Sequence, residues 1–196
     1  METGEKFPIK IVLLGDSHVG KTSIVNCWMS GRYDSSIKPT IGVNHQRIEM
    51  KIENEDVVLY IWDTAGQEQF QALTPLYARS ACVALIIVSI IDQNSINHVQ
   101  SWVELLRSSC DDIPPAVLVV NKIDLDDDAV FTREEILEKY FSSFQAVLFT
   151  SAKTGEGIME LFDQMTKLGY HFAKKGLRHA DSAPVKDVKE KGICKC

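Results

Sequence analysis

Gly15-Asp16-Ser17-His18-Val19-Gly20-Lys21-Thr22 has the spacing G-x-x-x-x-G-K-[ST] and follows an apolar run, Ile9-Lys10-Ile11-Val12-Leu13-Leu14. A strand feeding such a loop and then a helix is a P-loop, a cradle for phosphate. Glycines let the backbone wrap an anion closely, and successive amide N–H groups point inward at it. The helix that starts near Gly20 adds its positive end. Lys21 can reach the β- and γ-phosphates, and the Thr22 hydroxyl can ligate Mg²⁺. Gly15, Ser17, His18, Val19, Gly20, Lys21, Thr22 and Ser23 are the candidate phosphate-binding residues. A glycine-bearing turn that binds nothing is the plain alternative, and the Lys-Thr pair argues against it. The loop alone says nucleotide phosphate, not which nucleotide.

Such a loop needs a sheet to hold it, and the chain alternates strand and helix. Residues 9–14 read as a buried strand and 20–29 as its helix, with Ile24, Val25 and Trp28 at helical spacing. Residues 30–42 read as a loop. Two strand-like runs, 43–53 and 56–62, flank Asn54-Glu55, with Ile48, Met50 and Ile52 alternating with polar residues. The short connection predicts an antiparallel hairpin. Residues 64–80 read as irregular or weakly helical. The apolar run 81–91 predicts a strand covered on both faces. Ile96, Val99, Trp102, Val103 and Leu106 define an amphipathic helix. Residues 116–120 and 146–150 are further strands, with a capping box at Thr132 and Glu135 between them. Ile158 to Phe172 trace one face of a last helix. The expected fold is α/β: a six-stranded, mostly parallel sheet with one antiparallel edge strand and about five helices on both faces. Ligands bind such sheets at the carboxyl ends of the strands, where every candidate motif falls.

At 196 residues the chain reads as one domain with a tail: an N-terminal extension over 1–8, the domain over 9–176, and a flexible tail over 177–196. The net charge of −6 argues against broad nucleic-acid binding. No apolar run reaches membrane-span length, and Met1-Glu2-Thr3-Gly4-Glu5-Lys6 lacks a signal-peptide core and a myristoylation start. A cytoplasmic location is expected, with Cys27, Cys82 and Cys110 as reduced fillers in or near the core.

Asn121-Lys122-Ile123-Asp124 follows one strand and Ser151-Ala152-Lys153 another. With the P-loop, Thr40 and Asp63-Thr64-Ala65-Gly66-Gln67 in this order, the chain resembles a Ras-superfamily small GTPase, and within it the Rab family. The resemblance runs from the P-loop to the final Cys194-Lys195-Cys196 and implies a P-loop G domain that takes GTP and GDP with Mg²⁺. Guanine carries two adjacent N–H donors, and the Asp124 carboxylate can accept both, whereas adenine offers no such pair. By the resemblance, Asn121 bonds the O6/N7 side of the base and ties loops together. Lys122 lies over the base and ribose, the Ala152 N–H donates to O6, and Tyr33 stands at the base edge. Ser151 and Lys153 complete that loop.

Pro39-Thr40-Ile41-Gly42 resembles switch I and the segment from Asp63 to Gln67 resembles switch II. The resemblance implies that Thr22 and Thr40 ligate Mg²⁺, that Asp63 holds it through a water, and that the Gly66 N–H meets the γ-phosphate. Gln67 is the catalytic residue that orients the attacking water. No arginine lies just before Thr40, so an activating protein is expected to supply one. Ordering and release of the two switch loops makes an on/off surface for effectors, read at Ile41, His45, Trp62 and Tyr77. An exchange factor, a GDP dissociation inhibitor and a prenylation escort are further partners the resemblance implies.

Three departures stand out. Asn44-His45 replaces the acid and phenylalanine usual in the family, and His45 is smaller, more polar and titratable. It either packs as a neutral ring or changes the class of effector. The stretch Gln69 to Thr74 lacks the family's common arginines. His18 stands where the family has a small residue and could crowd the phosphates or an incoming arginine.

The ending Gly192-Ile193-Cys194-Lys195-Cys196 resembles the Rab C-x-C motif, which implies geranylgeranyl groups on both cysteines and cycling between cytosol and the cytoplasmic face of intracellular membranes. Two lipid chains anchor stably where one does not. Lys186, Lys189, Lys191 and Lys195 add attraction to anionic lipid, offset in part by Asp187 and Glu190. The leading expectation is a slow GTP-hydrolysing switch of vesicle traffic. A catalytically impaired GTP-binding interaction module is the alternative. A P-loop kinase or ATPase leaves Asn121 to Asp124 and Ser151 to Lys153 unexplained.

Overall fold

Ile9, Ile11 and Leu13 alternate with Val12 and Leu14 along one strand, and none of the five exposes any surface. Only a sheet covered on both faces buries both sets. The computed structural model describes residues 6–66 and 72–182 and has that form. Its strands are β1 Phe7–Leu14, β2 Val43–Ile52, β3 Glu55–Thr64, β4 Val83–Ser89, β5 Ala116–Asn121 and β6 Ala146–Phe149. They lie in the order β2-β3-β1-β4-β5-β6. Every neighbouring pair is parallel except β2 with β3, which makes β2 the antiparallel edge.

Six α-helices are described: α1 Lys21–Ser30, α2 Thr74–Ala78, α3 Gln93–Asn97, α4 Val99–Ser109, α5 Arg133–Tyr140 and α6 Ile158–Ser182. One face of the sheet packs on α1 and α6 through Ile24, Val25, Leu161, Phe162 and Met165. Trp28 of α1 stacks on Phe162 of α6 with ring centroids 3.8 Å apart. The other face packs on α2 to α5 through Ala78, Ile96, Trp102, Leu106 and Ile136.

Several boundaries depart from the sequence reading; the strand expected over 81–91, for one, is shorter, Val83–Ser89. The hairpin turns on Glu53-Asn54, both with positive φ (50° and 68°), because Ile52 pairs with Glu55. Two positive φ values give the turn whose twist matches the strands it joins. The single amphipathic helix is two. Asp92 caps α3 through Asn94 N–H (3.0 Å) and Ser95 N–H, and the backbone opens at His98 (φ −80°, ψ −2°) before α4 begins. β1 starts at Phe7, inside the expected extension. α6 runs on to Ser182, beyond the domain end expected at 176. The capping box holds: Thr132 Oγ1 accepts from Glu135 N–H (3.2 Å), and Glu135 Oε2 accepts from Thr132 N–H (2.8 Å).

β1 is the strand at which the chain order reverses, with β3 on one side and β4 on the other. The loop after β1 therefore stands at the topological switch point. The loops after β3, β5 and β6 reach the same rim.

Candidate functional site: a phosphate cradle joined to a base pocket

Between these loops lies a cavity of about 490 Å³, within the range of small-molecule sites. The P-loop from Ser17 to Ser23, except Val19, lines one end, and Lys122, Asp124, Ala152 and Lys153 line the other. Tyr33, Thr40 and Gly66 close the side. Asp34, Lys38 and Leu125 also line it, and no motif marks them.

At the phosphate end Lys21 is 5 % exposed although it is a cation. Its Nζ donates to the carbonyls of Gly15 (2.8 Å) and Asp16 (2.6 Å), which hold it across the loop. Burial lowers its pKa to about 8, with Asp63 and Asp16 opposing the shift. An anion placed against Nζ would favour the charged form further and oppose the shift. Gly20 has φ 99°, and a Cβ there would collide with the Asn121 amide. Gly66 carries the second close approach: a Cβ would strike the Asp16 carbonyl and the Lys21 ammonium.

The start of α1, the end of β3 and the loop that carries Thr40 meet at one cluster of oxygens. Thr22 Oγ1 donates to Asp63 Oδ2 at 2.7 Å and shares a 2.7 Å hydrogen bond with Thr40 Oγ1. Asp63 is 1 % exposed, and its Oδ1 is buried with no hydrogen-bond partner. Desolvation pushes its carboxyl upward, while the Thr22 hydrogen bond and the Lys21 charge pull it down. A buried carboxylate oxygen without a partner beside two hydroxyls is a donor set for a hard divalent cation. One carboxylate and two hydroxyls fit Mg²⁺, which keeps other positions for water and phosphate.

At the base end Asn121 is 1 % exposed. Its Nδ2 donates to the Val19 carbonyl (2.9 Å), and its Oδ1 accepts from Ala152 N–H (3.2 Å) and from Thr150 Oγ1 (3.3 Å). Asn121 thus ties the P-loop to both base loops, and the Ala152 N–H meets Asn121 here. Ser151 Oγ donates to Asp124 Oδ1 (2.7 Å), and Lys153 Nζ lies 3.4 Å from Asp124 Oδ2. These contacts orient a carboxylate that keeps acceptor capacity for paired N–H donors. Lys122 has φ 67°, and burial lowers its pKa. Ser23 and Tyr33 line the cavity, and Val19 contributes only its carbonyl.

Next to the switch segments, the proposed reading surface is a ladder of rings. His45 stacks on Tyr60 with centroids 5.6 Å apart and meets Trp62 edge-on at 5.1 Å. Trp62 stacks on Tyr77 at 5.8 Å, and Lys10 Nζ sits 4.7 Å from the Trp62 ring. Register explains it: His45 pairs with Trp62 across β2 and β3. Ile41 is 83 % exposed beside it. His45 is exposed, and its ring rests against Tyr60 and Trp62 without being enclosed. Gln67, Cys194 and Cys196 lie outside the described residues.

The sequence motifs also give the Asp16 side chain no role. Asp16 is an interior position of the P-loop pattern, yet its side chain meets Trp102 of α4 and His98, the residue just before that helix. Only the fold brings residues more than eighty positions apart together.

Comparison with known proteins agrees with this geometry. A family model described as "Ras family" matches residues 10–170. The Ras-related protein RABA5b of Arabidopsis thaliana is 34% identical over 183 residues, 92% of this chain and 83% of that protein. The phosphate cradle, the oxygen cluster and the base pocket thus have a common explanation, and the chain belongs to the Ras family as a Rab-type small GTPase.

Proposed function

We propose that this GTPase is a GTP/GDP switch that recruits effectors to intracellular membranes in vesicle traffic. The observation that carries the reading is the joining of Thr22, Thr40 and Asp63. Thr22 opens α1 after the P-loop, Asp63 lies at the end of β3 and Thr40 comes from the loop between α1 and β2, so a ligand that engages all three holds that loop onto the phosphates. Mg²⁺ at this cluster would neutralise charge shared by the β- and γ-phosphates. Lys21, already held across the loop, adds a fixed cation with little reorganisation. Gly66 offers its N–H to the γ-phosphate where a side chain would not fit. Gln67 orients the attacking water. Loss of the γ-phosphate removes the Thr40 and Gly66 contacts and frees the surface around Ile41, His45, Trp62 and Tyr77 to change.

The membrane half of the proposal rests on Cys194 and Cys196 as paired lipidation sites, with an escort, a dissociation inhibitor, an exchange factor and an activating protein as partners. Cycling between cytosol and membrane follows from it. Hydrogen exchange over residues 38–42 and 64–66 tests the switch: slower exchange with a non-hydrolysable GTP analogue than with GDP supports it, and equal exchange overturns it. Vesicle flotation of the prenylated chain tests the anchor. Cys194→Ser with Cys196→Ser should abolish flotation, and unchanged flotation refutes lipid attachment there.

A further inference from the structure

Asp16 faces two ways. Its carboxylate accepts from the Trp102 indole N–H at 2.8 Å through Oδ1 and meets His98 Nδ1 at 2.7 Å through Oδ2. Its backbone carbonyl accepts from Lys21 Nζ at 2.6 Å. The same carbonyl is the surface against which Gly66 packs too closely for a Cβ. Trp102 is 4 % exposed and locked in the core under the sheet. The Asp16 side chain is 19 % exposed. A charge-assisted hydrogen bond from a buried indole is directional and does not move with solvent.

We infer that Asp16 is a positioning residue for nucleotide retention: Trp102 of α4 and His98, just before that helix, hold it, and it fixes the carbonyl that aims Lys21 at the phosphates and seats Gly66. The inference rests on the reading of Lys21 as a phosphate ligand. Neither His98 nor Trp102 touches the cavity, so both act only through Asp16. Trp102 is the stronger arm, because its N–H is sequestered from water. His98 is the weaker, because its side chain is 56% exposed and competes with solvent.

The test is release of a fluorescent GDP analogue from the full chain, chased with excess GDP, with Mg²⁺ and with EDTA. Trp102→Phe removes the N–H and keeps an aromatic ring. Asp16→Ala removes both contacts. Each should speed release about tenfold, the ratio expected from one lost hydrogen bond to a charged group. The acceleration should be the same with and without Mg²⁺, because the path runs through Lys21 rather than the metal. The double variant should release no faster than Asp16→Ala alone, since the two changes cut one connection. Asp16→Asn keeps the Oδ1 acceptor and should return release to within about threefold of the parent.

Parent-like release from Asp16→Ala overturns the inference, as does a double variant whose effects multiply. Melting temperature is followed on every variant. Release rates that merely track melting temperature across the set, with no rescue by Asp16→Asn, also overturn it. A parent chain that takes up no guanine nucleotide refutes the underlying reading of Lys21, a distinct outcome.

Discussion

The Thr22 hydroxyl donates to Asp63 Oδ2 at 2.7 Å, while the second carboxylate oxygen of Asp63 is buried without a partner. The pair joins the start of α1 to the end of β3, where a cation would be held. Thr22→Ala deletes the donor and one cation ligand together. GDP release measured with Mg²⁺ should rise at least about tenfold, while release in EDTA should change little. A Mg²⁺ effect equal to the parent's would remove Thr22 from the metal site.

Gly66→Ala places a methyl group against the Asp16 carbonyl and the Lys21 ammonium. Both are fixed, one as backbone and one by two hydrogen bonds. The switch segment must therefore retreat. Single-turnover GTP hydrolysis should fall at least about tenfold, with GDP affinity nearly retained, because only the triphosphate needs the closed approach. Unchanged hydrolysis would show that Gly66 need not close.

Asp124→Asn leaves the carbonyl acceptor but replaces the other oxygen with a donor. Ser151 can still donate to it, so the loop should stay folded. One of the paired acceptors for guanine is lost, and a donor faces a donor. Competition titration should show GTP affinity falling roughly a hundredfold, with ATP affinity unaltered. Equal losses for both nucleotides would place Asp124 in folding rather than in base choice.

His18 carries φ 63° in the P-loop, a conformation that strains a residue with a Cβ. His18→Gly relieves that strain, partly offset by the greater freedom of glycine in the unfolded chain. Urea unfolding of the nucleotide-free protein should show a gain of about 0.5–1 kcal/mol. Activator-stimulated hydrolysis should rise if the ring had crowded an incoming arginine. Identical stability and rates in the two proteins would leave His18 as a tolerated substitution.

Much of this site was legible because its motifs are local. The P-loop, Asn121 to Asp124 and Ser151 to Lys153 each follow a buried strand, and parallel strands deliver them to one rim. Alternation along β2 gave its edge position, and Thr132 with Glu135 gave the capping box. The turn at Glu53-Asn54 was misplaced by one residue, because neither residue type demands positive φ and only pairing of Ile52 with Glu55 sets it. The break at His98 was hidden because apolar spacing continues through it from Ile96 to Trp102. The Asp16 contacts were invisible for a different reason. A carboxylate inside a motif reads as solvent-facing until the fold supplies an indole N–H from α4.

The long final helix spans the sheet from one end to the other. It begins beside the base pocket, and by Tyr170 it packs on Phe7 at the opposite end of β1, with His171 and Lys174 near Glu53 and Glu55 of the hairpin turn. As far as Lys174, the helix thus runs away from the base pocket toward the hairpin turn. No described residue of this helix lines the cavity, so a change in its far half reaches the site only indirectly, through what the helix packs on.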